Sequence, residues 1–144
     1  MRRRSSIVAL ALLTSACGQS HVTPDRLERA FALTFANLVV SQQNLLGRQG
    51  LDSRVFGTAA TCHRAEAGHE PSGSGDWRCT VTWSIPDRRG TLRDSYELVV
   101  TPSGCYTATA DSGEAHVGRA TLTTSNGLTV PNLLYAFDAC FDTQ

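Results

Sequence analysis

Histidine and glutamate crowd one short stretch of the chain: His63, Glu66, His69 and Glu70 all fall within His-Arg-Ala-Glu-Ala-Gly-His-Glu. Such side chains could hold a divalent metal, but a helical metal pair sets its histidines four apart with a glutamate between them. Here the histidines stand six apart in glycine-rich sequence, without the supporting contacts that preorganise ligands. The stretch reads as solvated loop, with His63 and His69 as candidate surface-binding residues and no metal site. Nucleophilic catalysis needs a hydroxyl or thiol beside a histidine that a third group orients. The chain has no G-x-S-x-G elbow, and its serines and threonines fall on strand faces or in turns. Glycoside chemistry would draw a carboxylate pair from Asp76, Asp94, Asp138 and Asp142, whose spacing alone neither joins nor separates them. The last cluster is Asp76-Trp77-Arg78-Cys79. Tryptophan and arginine anchor interfaces more often than other side chains, so Trp77 and Arg78 are candidate binding residues. Strand alternation puts Trp77 on the face of Cys79 and makes the core its competing role. Asp138 is similarly open, to a ligand or to an arginine such as Arg78 or Arg119. No catalytic residue and no cofactor is assigned, and a non-enzymatic protein is expected.

The elements that would position these residues follow an export leader. Three arginines, an apolar run from Ile7 to Leu13, and small residues ending at Cys17 make the layout of a secretory signal. A membrane-spanning helix needs about 20 apolar residues, whereas only Ile7 to Ala16 is free of strongly polar side chains. Leu13-Thr14-Ser15-Ala16 before Cys17 resembles the lipobox of bacterial lipoproteins, with Thr14 where that family usually places leucine. The resemblance implies that residues 1–16 are a lipoprotein signal peptide, that the Cys17 thiol carries a diacylglycerol, and that 17–22 form a lipid-anchored tether. Two acyl chains suffice for lasting membrane attachment. The expected location is the extracytoplasmic face of the cell membrane; ordinary cleavage after Ala16, giving a secreted chain, is the alternative.

With Cys17 assigned to lipid, Cys62, Cys79, Cys105 and Cys140 form an even set in an oxidising compartment, and two disulfides are expected. Of the three possible connectivities, Cys62–Cys79 and Cys105–Cys140 are favoured, because each pair brackets a compact stretch. A zinc site is the rival, without any C-x-x-C pairing to support it. All 13 basic residues are arginine; three lie in the leader, which leaves 10 against 13 acids. That mildly acidic balance argues against a nucleic-acid partner, whose footprint would be a basic stripe.

Thr23-Pro24-Asp25 offers a capping hydroxyl, a first-turn proline and an acid at the positive helix end. Leu27, Phe31, Phe35, Leu38 and Leu45, joined by Ala30, Val39 and Leu46, predict one apolar helix stripe that covers a sheet, with Gly47 or Gly50 as the stop. From Arg54 the period changes to two. Trp77 to Ile85 is the clearest strand, with Trp77, Cys79, Val81, Trp83 and Ile85 on one face; Leu92 to Thr101 follows, with Tyr96, Leu98 and Val100 together. Cys105 to Ala110, Arg119 to Thr124 and Leu128 to Val130 are further strands, the last two joined at Asn126-Gly127. The tail from Pro131 to Asp142 could be short helix or strand. Ala65 to Asp76, rich in glycine, predicts a mobile loop. The fold class is α+β: residues 23–144 form a single domain, an N-terminal helix packed on a curved antiparallel sheet of four to five strands with two disulfides.

FANLVVSQQNLLGRQG (Phe35 to Gly50), Cys62, DWRCTVTW (Asp76 to Trp83), GCYTATA (Gly104 to Ala110) and FDACFD (Phe137 to Asp142) together resemble small actinobacterial, Streptomyces-like lipoproteins. That resemblance carries over no functional residue beyond Cys17 and the four downstream cysteines. A helix on an antiparallel sheet is also similar to the cystatin-like and beta-lactamase-inhibitor-like architectures, a likeness of fold alone. The expected function is a membrane-anchored binding module that holds an envelope protein or cell-wall component; the alternative is an extracytoplasmic hydrolase or enzyme inhibitor.

Overall fold

Helix α1 (Pro24–Leu45) starts where its cap dictates. Thr23 is extended, its Oγ1 accepts the Arg26 N–H at 3.4 Å, Pro24 opens the first turn and Asp25 lies at the positive end. The computed structural model describes residues 21–68, 70–86, 88–111 and 116–143; residues 1–16, expected as a signal peptide, the expected lipidation site Cys17, and His69 lie outside the described residues. Leu27, Phe31, Phe35, Ala36 and Val39 are buried along one stripe of α1. Its last turn departs from expectation: Gln42 and Gln43 are buried, whereas Leu45 is half-buried and Leu46 exposed. The cause is the helix stop. Gly47 turns left-handed (φ 85°), Gly47 N–H donates to Asn44 O, and Arg48 N–H donates back to Gln43 O at 2.9 Å. This Schellman turn satisfies the final carbonyls and folds Arg48 over Gln43 instead of continuing the leucine stripe.

A short 3-10 turn (Ser53–Phe56) leads into the strands β1 (Ala59–Arg64), β2 (Gly75–Trp83), β3 (Leu92–Val100) and β4 (Cys105–Ala110). After the small strands β5 (Thr121–Thr123) and β6 (Thr129–Pro131), the tail forms β7 (Ala136–Cys140). The main sheet has five antiparallel strands in the order β1-β2-β3-β4-β7, and β5 and β6 pair as a separate ribbon. The ribbon tip reaches α1, where Ser125 N–H donates to Leu45 O at 3.1 Å. β2 stops at Trp83, short of Ile85, because Ser84 N–H turns to Phe56 O at 2.8 Å and Pro86 follows.

Alternation assigns one sheet face to the helix. Trp77, Cys79, Val81 and Trp83 of β2, with Tyr96, Leu98 and Val100 of β3 and Tyr106 and Ala108 of β4, are all buried beneath α1. Phe31 and Tyr96 pack T-shaped with ring centroids 5.3 Å apart, and Phe35 and Trp83 do so at 5.4 Å, contacts that each contribute about 0.5–1.5 kcal/mol beyond burial. The Tyr96 hydroxyl donates to Leu134 O at 2.6 Å, and burial followed by the nearby Asp94 charge raises its pKa above the usual phenol value.

Both outer strands of the sheet are stapled to their neighbours. Cys62 of β1 faces Cys79 of β2 in register and bonds to it, and Cys105 of β4 does the same with Cys140 of β7. The Cα atoms stand 4.1 and 3.8 Å apart. Gly104, at φ 81°, makes the turn before β4; a Cβ there would lie 2.6 Å from Phe141 O, so the position admits glycine alone.

Candidate functional site

The face of the sheet turned away from α1 carries the polar half of every strand, and the register arranges those side chains in rows. His63, Arg78, Glu97 and Thr109 form one row across β1, β2, β3 and β4. Thr61, Thr80 and Ser95 form the row on one side of it, and Asp76, Val99, Thr107 and Asp138 the row on the other. Arg78 is the centre. Its guanidinium lies 2.8 Å from Glu97 Oε1 and 3.5 Å from Asp111 Oδ2, and it remains nearly half-exposed. Beyond the threonine row lies Arg93, opposite Thr82, so the face runs from cationic at Arg93 through Arg78 to acidic at Asp76 and Asp138. Shallow depressions of 440 Å³ beside Arg78 and Glu97, and 270 Å³ over His63 and Arg93, follow this gradient.

Of the sequence-derived candidates, Arg78 and His63 occupy this face side by side. Trp77 does not. Its side chain points the other way, is 1% exposed, and donates from Nε1 to Gly73 O at 3.0 Å. Strand alternation forces that separation between adjacent residues, and it gives Trp77 to the core instead of to a partner. The glycine-rich loop is also tied at its base. Gly73 N–H donates to Val22 O, Arg64 donates to Gly73 O and Ser74 O, and the Arg64 guanidinium stacks 5.5 Å from the Trp77 ring.

The four aspartates weighed as carboxylate pairs are dispersed. Asp76 and Asp138 share a row but stand three strands apart, about 14 Å at ~4.8 Å per strand, beyond the roughly 5–9.5 Å of glycosidase pairs. Asp94 points inward. Buried at the free end of β3, it accepts from Trp83 Nε1 at 2.8 Å through Oδ2, while Oδ1 lies 3.3 Å from His116 Nδ1. His116 Nδ1 is also 3.1 Å from Arg93 O. This Trp83–Asp94–His116 chain has the orienting half of a nucleophilic triad, a carboxylate on one imidazole nitrogen, but no described hydroxyl or thiol completes it. Sequence reasoning missed it, although Asp94 stands in phase with Tyr96, Leu98 and Val100, an acid on an apolar strand face. Among the described residues no cluster of three metal-ligating side chains occurs, and no helix is long and apolar enough to cross a membrane.

No protein-family model, curated protein or solved structure matches the chain.

Proposed function

We propose that this chain is an exported lipoprotein, anchored through Cys17, that acts as a non-enzymatic binding module of the cell envelope. The outward face of its sheet holds the partner, an envelope protein or a cell-wall component. The observation that carries this reading is the in-register row of His63, Arg78, Glu97 and Thr109 with its polar neighbours. Held on a five-stranded scaffold, these side chains present donors and acceptors at fixed spacing, the preorganisation that recognition requires. Two disulfides suit a protein that works in an oxidising compartment.

Two measurements test the proposal. Cells fed labelled palmitate should label the wild-type protein and leave Cys17→Ser unlabelled; equal labelling refutes the anchor. The released Cys17→Ser protein, incubated with isolated envelopes, should sediment with them, and adding Arg78→Glu and His63→Glu should cut retention about tenfold. Unchanged retention removes the sheet face as the site. A second reading, an extracytoplasmic hydrolase, draws on the His116 ring held by Asp94; turnover of an ester substrate that disappears in His116→Gln would favour it.

A further inference from the structure

We infer that the cleft beyond the C-terminal end of α1 binds an oxyanion bearing an apolar arm, a carboxylate or phosphate on an alkyl chain. The cleft encloses about 540 Å³ between the Schellman turn, the 3-10 turn and the segment that follows β2. That volume lies within the range of small-molecule sites, roughly 300–1,000 Å³. Its wall is apolar, made by Leu51, Phe56, Ile85 and Pro86, and its polar groups are Arg48, Arg88 and Gln43.

Backbone bonds set the positions from which these side chains project. Arg48 is returned over the helix end by its N–H bond to Gln43 O, and its Nη1 donates to Gln43 Oε1 at 3.1 Å. Gln43 itself is 8% exposed. Ser84 N–H fixes the wall to Phe56 O, and Arg88 N–H closes a turn onto Ile85 O at 3.1 Å. Arg48 thus spends one of its five N–H donors on a neutral amide. Arg88 makes no ion pair among the described residues. The carboxylate next to the wall, Asp52, is engaged elsewhere: Arg54 grips it at 2.6 Å and holds its pKa at about 2.

Among the described residues that line the cleft, two arginines stand without an acid, in a domain whose acids outnumber its bases, and make a local excess of donors. Guanidinium groups recognise carboxylate and phosphate through paired N–H donors, and the apolar wall supplies burial for an attached chain. The site is separate from the sheet face and does not depend on the function proposed above.

Titration calorimetry on the purified oxidised protein with decanoate, decyl phosphate and decyltrimethylammonium, each below its micelle threshold, tests this. The two anions should bind with Kd on the order of 100 μM, and the cation should not. Arg48→Gln with Arg88→Gln should weaken anion binding at least about tenfold, while Arg29→Gln, exposed near the opposite end of α1, leaves it unchanged. Phosphatidylglycerol vesicles separate the sources: binding to them that the double variant loses assigns the site to a membrane headgroup, and binding to monomeric decanoate alone assigns it to a free acid. Equal affinity for the cation, no anion binding up to about 1 mM, or a double variant that binds like wild type overturns the inference.

Discussion

The two outer strands of the sheet are secured by the same chemistry in opposite settings. At one end, Cys62–Cys79 lies on the helix side, both residues buried within the aromatic core. The next unpaired donor of that strand, the Cys62 N–H, is taken by Glu28 Oε1 at 2.9 Å, so α1 also closes the edge. At the other end, Cys105–Cys140 lies on the solvent side, where Cys140 is exposed. The first bridge is a packing element as well as a tether, whereas the second is a clip laid over a strand whose inward residues, Phe137 and Ala139, are only half-buried. A crosslink is worth most where it also replaces side-chain volume that the core lacks.

Removing each bridge should measure that difference. Chain entropy alone favours the outer clip, since its span of 35 residues against 17 adds about 0.6 kcal/mol. With buried packing included, the order reverses: Cys62→Ala with Cys79→Ala should cost about 4–5 kcal/mol and Cys105→Ala with Cys140→Ala about 3 kcal/mol in urea unfolding. A larger loss at the outer pair would break the comparison. Reduction kinetics sharpen it, because thiol attack needs access to sulfur. Under native conditions a mild reductant followed by mass-tagged alkylation should open Cys105–Cys140 at least about tenfold faster than Cys62–Cys79. Next in size is the carboxylate on the inner edge. Glu28→Ala should cost about 1 kcal/mol by leaving the Cys62 N–H unpaired, with most of it restored in Glu28→Gln. The smallest effect belongs to the exposed face: Arg78→Ala should change stability by no more than about 0.5 kcal/mol despite two ion pairs, because both are solvent-screened.

The helix start, β2, β3 and β4 were legible because their cues are local: a capping threonine before proline, and large side chains at every second position. The two bridges follow from the same alternation once sulfur is paired within adjacent strands. β1 was hidden, since only Cys62 within Ala59–Arg64 is fully buried and the strand offers no apolar rhythm of its own. The ribbon of β5 and β6 was expected from Asn126-Gly127, but its separation from the main sheet depends on Asn132, whose buried amide donates to Val117 O and Arg119 O and accepts from Leu134 N–H. The surface row was half visible. Arg78 and His63 stood out by type, while Glu97 and Asp111 became partners only through the register of the successive strands β2, β3 and β4, which spacing in the sequence does not fix. The Asp94–His116 contact spans a loop and left one trace, an acid where an apolar residue was due.

Because one sulfur pair sits above the sheet and the other below it, the β-layer itself stands between them. Exchange between the pairs would demand that a thiolate pass through a continuous hydrogen-bonded ladder, or that strands two places apart become neighbours. Crossing between these two pairs is therefore closed once the sheet has formed, and a form that joins one pair to the other belongs to a chain that has not yet assembled it.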